Sequence, residues 1–489
     1  MKPAHAIALV LIPLLTVAGA FAATWWRSVR DIFFFAMLSL AVLAEKMDVN
    51  FFSEAWYRGT TRGVQITLVE ILAFGLLVGC LLGRRGEERR RFWPGSLGLM
   101  LAYLAYAIVS VISSEPKIFG VYELTKIAAS ILVFVSAAVY VRSMREWTLL
   151  LAALGSAVAF EGIWALKQHF ITELERSEGS LDHANSLSMY LCMTVPLLVS
   201  AAFAGWSRPL KWFCGVSAAL GAAAMPFTLS RAGIPIFIAV TGGTILACAT
   251  WRMSARKIAV RIFLIGCVAA MLGAVWTQMQ GRYAEATLAE EYLDPTVDGR
   301  GIYIRLAREI VRDHFFGIGL NNWSYHVSKT YGPRLGFRFS DYDFLISIYG
   351  SADDKLFADS YLAAPAHNLG ALTLGELGVP GLLLFTLLWL RWFGMGAAFL
   401  RLPRGAPLRV MGVGIFFGIC GIFGQSLTEW VYRQTPILLT FYILLGALAG
   451  LTADRRRLLK GNPEEEIVTA EPDGNREDVR EEILIPEGV

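Results

Sequence analysis

Residues 213–250, FCGVSAALGAAAMPFTLSRAGIPIFIAVTGGTILACAT, decide the fold. Two apolar runs, Phe213 to Leu229 and Gly233 to Thr250, are parted by a three-residue turn holding a single charge, Arg231. Each run is long enough for a helix to cross a hydrocarbon core of roughly 30 Å. An arginine fixed between two such helices costs about 2.5 to 3.5 kcal/mol if drawn into hydrocarbon, so its position asks for a reason. A helix-end arginine snorkelling to lipid headgroups is the plain alternative.

The same pattern recurs on both sides. Further apolar runs span Ala6 to Ala23, Ile32 to Ala44, Ile66 to Leu82, Gly95 to Ser113, Leu124 to Val141, Trp147 to Leu166 and Ser186 to Phe203. Others span Ile258 to Val275, Leu369 to Leu390, Val410 to Phe423 and Ile437 to Leu451. The reading is an all-α polytopic membrane protein of about 12–13 transmembrane helices, with one long outer loop containing short amphipathic helices. Composition agrees: 55% of residues are hydrophobic and 17% charged, too apolar for a water-facing surface. Met1 to Ala23 reads as a retained first helix, since only Lys2 would serve as the basic region of a signal sequence.

The net charge of +4 does not point to nucleic acid. Basic clusters at Arg84 to Arg91, Arg142 to Arg145, Arg208 to Lys211, Arg252 to Arg261, Arg401 to Arg409 and Arg455 to Lys460 sit in short connections, as the positive-inside rule expects of cytoplasmic loops. The loops between them then face outward, and the side of the amino end depends on whether Ile32 to Ala44 spans. All six cysteines lie within or at the ends of apolar runs and read as packing residues. Three segments follow: N-terminal transmembrane helices over 1–212, a core over 213–460 with its loop at about 278–366, and a disordered acidic cytoplasmic tail over 461–489.

The long loop carries the remaining candidates. Tyr303 to His314 places Arg305, Arg308 and Arg312 at helical spacing on one face, with Ile304, Ala307 and Val311 nearer the other, as in an amphipathic helix on a membrane surface. Arg300 stands just before it, and His367 where the loop re-enters the membrane. A histidine there can accept a proton at neutral pH, as a general base must. Arginines converging on one outer site suit a diphosphate, because guanidinium forks bind phosphate oxygens in pairs. Outer loops show no acidic cluster or His/Cys spacing for a divalent ion, so neither metal nor other cofactor is expected. Trp56 to Gly63, rich in aromatic and basic residues, reads as interfacial anchoring before a carbohydrate groove. Glu161 and Glu376 are the acids expected within spans.

The order Ser230-Arg231-Ala232-Gly233, Gly299-Arg300, Gly317-Ile318-Gly319-Leu320-Asn321-Asn322-Trp323, His367-Asn368 and Glu376-Leu377-Gly378-Val379-Pro380-Gly381 resembles the O-antigen ligase and O-antigen polymerase superfamily over roughly Phe213 to Phe393. Upstream, Leu181-Asp182-His183-Ala184-Asn185 is similar to the family's His-Pro-Asn loop, with Ala184 where proline is usual. The resemblance implies a helical-bundle glycosyltransferase of the bacterial inner membrane, its active site periplasmic, taking a glycan from an undecaprenyl diphosphate carrier without a metal. The acceptor would be a lipid A core or another glycan.

It also implies roles. Arg231 and Arg300, with Arg305 and Arg308, would hold the donor diphosphate. His367 would activate the acceptor or orient the donor, supported by Asn368, His183 and Asn185. Direct attack on the anomeric carbon would invert it, and no carboxylate pair suggests a glycosyl-enzyme intermediate. Ligase, O-antigen or exopolysaccharide polymerase and protein O-oligosaccharyltransferase are alternatives within the class, and a lipid-linked glycan flippase or transporter lies outside it.

Overall fold

A computed structural model describes residues 3–53, 57–83, 93–248, 300–337, 363–403 and 407–459, with positions 273, 276, 280 and 281. The protein is a helical bundle. Its main helices are α1 (Pro3–Trp25), α2 (Arg27–Ser39), α3 (Leu68–Leu82), α4 (Leu97–Ile112), α5 (Lys117–Tyr140), α6 (Met144–Phe170), α7 (Ala184–Ala202), α8 (Arg208–Ala224), α9 (Gly233–Cys248), α10 (Gly301–Asp313), α11 (Leu369–Ala397), α12 (Pro407–Ser426) and α13 (Thr435–Leu459). Among the described residues seven helices are long and apolar enough to cross a membrane, and four more apolar helices are shorter. The expected span at 258–275 and the acidic tail lie outside the described residues.

Glycine spacing draws the bundle together. Gly414, Gly418 and Gly421 of α12 lie against α7, where a Cβ on Gly418 would come 2.3 Å from the Met193 carbonyl oxygen. Gly446 and Gly450 repeat the device on α13, against Phe134 and Ala138 of α5 and Val141 at its C-terminal cap. Lipid gives helices little hydrophobic reason to associate, so close backbone approach and van der Waals contact do so instead. This buries α7 at the centre.

The turns carrying Arg142 and Arg145, Arg208 and Lys211, and Arg401 lie at one end of the bundle, which alternation of the helices makes a basic face. The opposite ends of α5 to α9 and α11 to α13 carry the candidate site. Where a span over Ile32 to Ala44 is expected, α2 begins at Arg27 and gives way to a 3-10 turn over Ala41–Lys46. It begins at the basic face, where Arg30 donates to the Gly79 carbonyl (3.1 Å) and Asp31 accepts from Tyr140 (2.6 Å). Residues 3–25 therefore run from the site face to the basic face. A two-stranded antiparallel hairpin, Asp48–Phe51 with Val64–Thr67, caps the site face.

Three sequence expectations change. The stripe that α10 buries is Ile302, Leu306, Ala307 and Ile310, while Ile304 and Val311 are half-buried. That stripe packs against Ile318, Trp323, Ala371 and Leu372. The apolar face meets protein, not lipid, because the chain after α10 folds back over it. Tyr57, expected at the membrane interface, is fully buried and stacks on Phe119 at 3.6 Å. Its hydroxyl donates to the Asn321 carbonyl; Trp56 lies outside the described residues.

Candidate active site

The segment after α10 and a break in α11 lock together through their backbones. Val379 and Pro380 would normally donate to the Gly375 and Glu376 carbonyls, but Gly378 has φ +65° and Pro380 has no N–H. The orphaned carbonyls are taken up elsewhere: Ile318 N donates to Gly375 O (3.1 Å), Gly319 N to Glu376 O (2.9 Å) and Tyr106 Oη to Leu377 O (2.7 Å). Val379 N turns to Phe315 O (3.0 Å). Gly317, with φ +85°, sits so close that a Cβ would lie 2.3 Å from Glu376 O. Two separated glycine-rich motifs are thus one structural joint, and it seats the α10 region on the core.

Asn368 starts α11. Its backbone is extended, its Oδ1 accepts from Ala371 N (2.8 Å), and its Nδ2 donates to Leu427 O (2.7 Å). The cap satisfies one of the helix's free N–H groups and pins the 363–368 segment to the 427–434 loop. His367 is thereby held facing that loop.

There Glu429 is the hub. It is 3% exposed and accepts at Oε1 from Arg300 Nη2 (2.7 Å) and Asn185 Nδ2 (2.7 Å), while His367 Nδ1 stands 2.7 Å from Oε2. Burial pushes the Glu429 carboxyl up. The hydrogen bond and charge of His367, with Arg300 and His183, outweigh burial and hold it below the usual carboxylate range. An ionised carboxylate can only accept, so the Nδ1 proton points at it and Nε2 is the basic ring nitrogen. Tyr303 borders the imidazole at 5.7 Å between ring centroids.

His183 caps α7, its Nδ1 accepting from Asn185 N at 3.1 Å. Its ring keeps exposed surface, yet desolvation by the neighbouring protein lowers its basicity, against the pull of Glu429 and with the help of Arg176 and His367. Arg176 donates to Asn185 Oδ1 (3.1 Å) and to Thr228 O (3.2 Å). Through Arg176 the hub reaches the Arg231 turn. Leu229 is buried there in a left-handed conformation (φ +48°), a strained backbone for a γ-branched residue. Ser230 Oγ accepts from Gly233 N (3.2 Å), and a Cβ on Gly233 would strike Ser188 of α7. The turn is fixed from both sides, with Arg231 half-buried beside it.

Of the residues expected from sequence, His367, Arg300 and Asn185 meet at Glu429, His183 and Asn368 brace them, and the Arg231 turn is tied in. Arg305 and Arg308 do not join this cluster. Arg305 lies over the Phe337 ring at 5.6 Å, about 200° round the helix from Tyr303, and Arg308 is exposed. Helical spacing put them together without saying which face turns inward. Glu429 and Arg176 escaped the sequence reading. Glu429 is an acid in the short connection between α12 and α13, Leu427-Thr428-Glu429-Trp430, which is signal enough in retrospect. Among the described residues no three His, Cys, Asp or Glu side chains converge as metal ligands would.

Residues 216–386 match the family model described as O-antigen ligase. This segment resembles the O-antigen ligase and polymerase superfamily. The match covers the Arg231 turn, Arg300, His367 and both halves of the backbone joint, whereas Glu429, Arg176, His183 and Asn185 lie outside it. No curated protein matches the chain. The family and the bundle together make it a multi-pass membrane protein of the glycan-processing, ligase or polymerase type.

Proposed function

We propose that the chain is a glycosyltransferase of the bacterial inner membrane that moves a glycan from an undecaprenyl diphosphate carrier to an acceptor hydroxyl at the periplasmic face. The observation that carries this reading is the Glu429–His367 pair (2.7 Å) beside Arg300, with Arg176 linking it to the turn that holds Arg231. His367 Nε2 takes the proton of the acceptor hydroxyl as its oxygen attacks the anomeric carbon. The bond from that carbon to the diphosphate oxygen breaks, and the diphosphate leaves with the bonding electrons. Attack opposite the leaving group inverts the anomeric centre in a single displacement. No metal ion takes part in the scheme.

Charge balance favours this direction. Arg300 donates to Glu429, Arg176 donates to the neighbouring Asn185, and the Arg231 turn is tied in through Arg176, so basic groups collect where a leaving diphosphate develops negative charge. Preorganised cations in a poorly solvated site stabilise that charge far more than water does. Glu429 fixes the histidine tautomer and supports the imidazolium that forms, as carboxylates do for catalytic histidines elsewhere. The basic loops at the opposite end support a periplasmic site through the positive-inside rule.

In vitro transfer from a purified undecaprenyl diphosphate glycan, with chelator present, tests the reading. The intact protein is expected to release carrier diphosphate, and His367→Ala, Arg231→Ala and Arg300→Ala each to abolish release while remaining folded. Transfer to lipid A core names a ligase; transfer to a second carrier-linked glycan names a polymerase. Movement of the lipid-linked glycan across a vesicle membrane without transfer overturns the enzyme reading for a flippase.

A further inference from the structure

A second polar surface shares a wall with the Glu429 cluster and differs from it in charge. Glu45 and Lys46 end the 3-10 turn after α2. Glu45 Oε1 accepts from Thr435 N at 3.2 Å, which brings this turn to the start of α13, six residues beyond Glu429. Lys46 Nζ bridges 2.6 Å to Asp182, the neighbour of His183. Thr435 Oγ1 donates to Gln65 of the hairpin (2.9 Å), and Ser186, beside Asn185, donates to Gln434. Residues of the first two hundred therefore meet the 434–435 connection directly next to the catalytic candidates.

The surface is open to solvent: Glu45 and Arg62 are exposed, and the Lys46 and Asp182 side chains keep 47% and 69% of their surface. Desolvation by neighbouring protein raises the Glu45 carboxyl against the pull of Lys126, and desolvation followed by the Arg58 charge lowers Arg62. Acids and bases mix on it: Glu45, Asp182 and Glu178 stand with Lys46, Arg62 and Arg58, and the Gln65 and Gln434 amides add neutral donors and acceptors. The cluster next to it gathers Arg300 and His367 on Glu429.

We propose that this surface is the acceptor subsite, binding a hydroxyl-rich glycan through Glu45, Gln65 and the Lys46–Asp182 pair, which rests on the glycosyltransferase reading above. A mixed wall of carboxylates, bases and amides meets sugar hydroxyls as both donors and acceptors, whereas its carboxylates repel a diphosphate and leave it to Arg300. Its residues all lie outside the segment 216–386 that matches the family.

The test is steady-state kinetics of the full-length protein in detergent, with undecaprenyl diphosphate glycan as donor and, in separate arms, lipid A core or a second donor molecule as acceptor. For Glu45→Gln the acceptor KM is expected to rise about tenfold, the loss of roughly one charged hydrogen bond, with donor KM changing less than about twofold. Lys46→Ser, on the same exposed surface, gives the same split if Glu45→Gln fails to fold. The arm in which KM moves identifies the acceptor. An unchanged acceptor KM in both variants, or an equal rise in donor KM, overturns the subsite. Absence of transfer by the unmodified protein in both arms instead overturns the glycosyltransferase reading, and the subsite with it.

Discussion

One short connection, residues 427–434, feeds two charged clusters built from the same chemistry and put to opposite uses. At one end Glu429 gathers Arg300, His367 and Asn185, and the side chains of Arg300 and His367 keep 18% and 32% of their surface. At the other end Arg433 pairs with Glu376 at 2.5 Å, both essentially sealed. Lys126 pairs with Glu123 at 3.0 Å and donates to the Arg433 carbonyl at 2.8 Å. Thr60 (2.9 Å) and Thr61 donate to Glu123, and the Asn321 amide donates to the Thr61 (2.8 Å) and Phe119 (2.9 Å) carbonyls. Two acids meet two bases, so the inner cluster is neutral and inaccessible. It joins the 57–61 loop, α5, the broken α11 and the chain after α10. An arginine–carboxylate pair alone therefore does not mark a site; surplus charge and access do.

The comparison breaks most sharply at His367. His367→Ala is expected to lower transfer by about 10²–10⁴-fold, the usual worth of a positioned general base, with the unfolding midpoint near that of the intact protein. Glu429→Gln keeps the shape but weakens the hold on the ring, and about 10- to 100-fold is expected, as for partners that orient a working histidine. The inner cluster should respond in the other currency, stability. Arg433→Met leaves Glu376 buried without its partner and is expected to cost about 3–5 kcal/mol. Adding Glu376→Leu should recover much of that loss in thermal unfolding. A double variant no more stable than Arg433→Met alone would show that the pair is not what holds this region together.

Much of the fold was legible because membrane spans are written locally, as long apolar runs between basic turns. The site was legible only in part. Arg231, His367 and Arg300 stood out as charges beside apolar helices, and the resemblance ordered them. Nothing local links residue 429 to residues 185, 300 and 367; that meeting exists only once α7, α10 and α11 are packed. The inward face of α10 was misjudged for the same reason, since periodicity groups Arg305 with Arg308 but the covering chain decides which side is buried. The glycine motifs were visible as turns, while their pairing into one joint depends on carbonyls freed more than fifty residues away.

That joint offers a smaller test of how the site is seated. Gly317 and Gly336 have similar left-handed backbones, φ +85° and +80°, but a Cβ meets the α11 backbone at Gly317 and, among the described residues, nothing within 4 Å at Gly336. Gly336→Ala should show the conformational cost alone, about 1–2 kcal/mol. Gly317→Ala should exceed it, and should lower transfer as well, because displacing the joint moves Arg300 relative to His367. Equal losses of stability at the two positions would mean that the close approach at Gly317 relaxes without consequence.

The smallest effect expected is a pH dependence at the edge of the outer cluster. Desolvation depresses the folded basicity of His183, so the folded protein resists a proton that the unfolded chain accepts below about pH 6.5. The stability tied to this group is therefore complete above that pH and is lost as pH falls through the folded value. Glu429 is held below the ordinary carboxylate range, so its own loss comes at more acidic pH and stays out of the window between about pH 7.5 and 5.5. His183→Asn keeps a side-chain acceptor for Asn185 N, the bond that caps α7, while removing the titration. Unfolding midpoints measured at both ends of the window should fall more for the intact protein than for His183→Asn. Parallel slopes would mean that His183 takes up its proton with the fold intact and that its desolvation carries no stability.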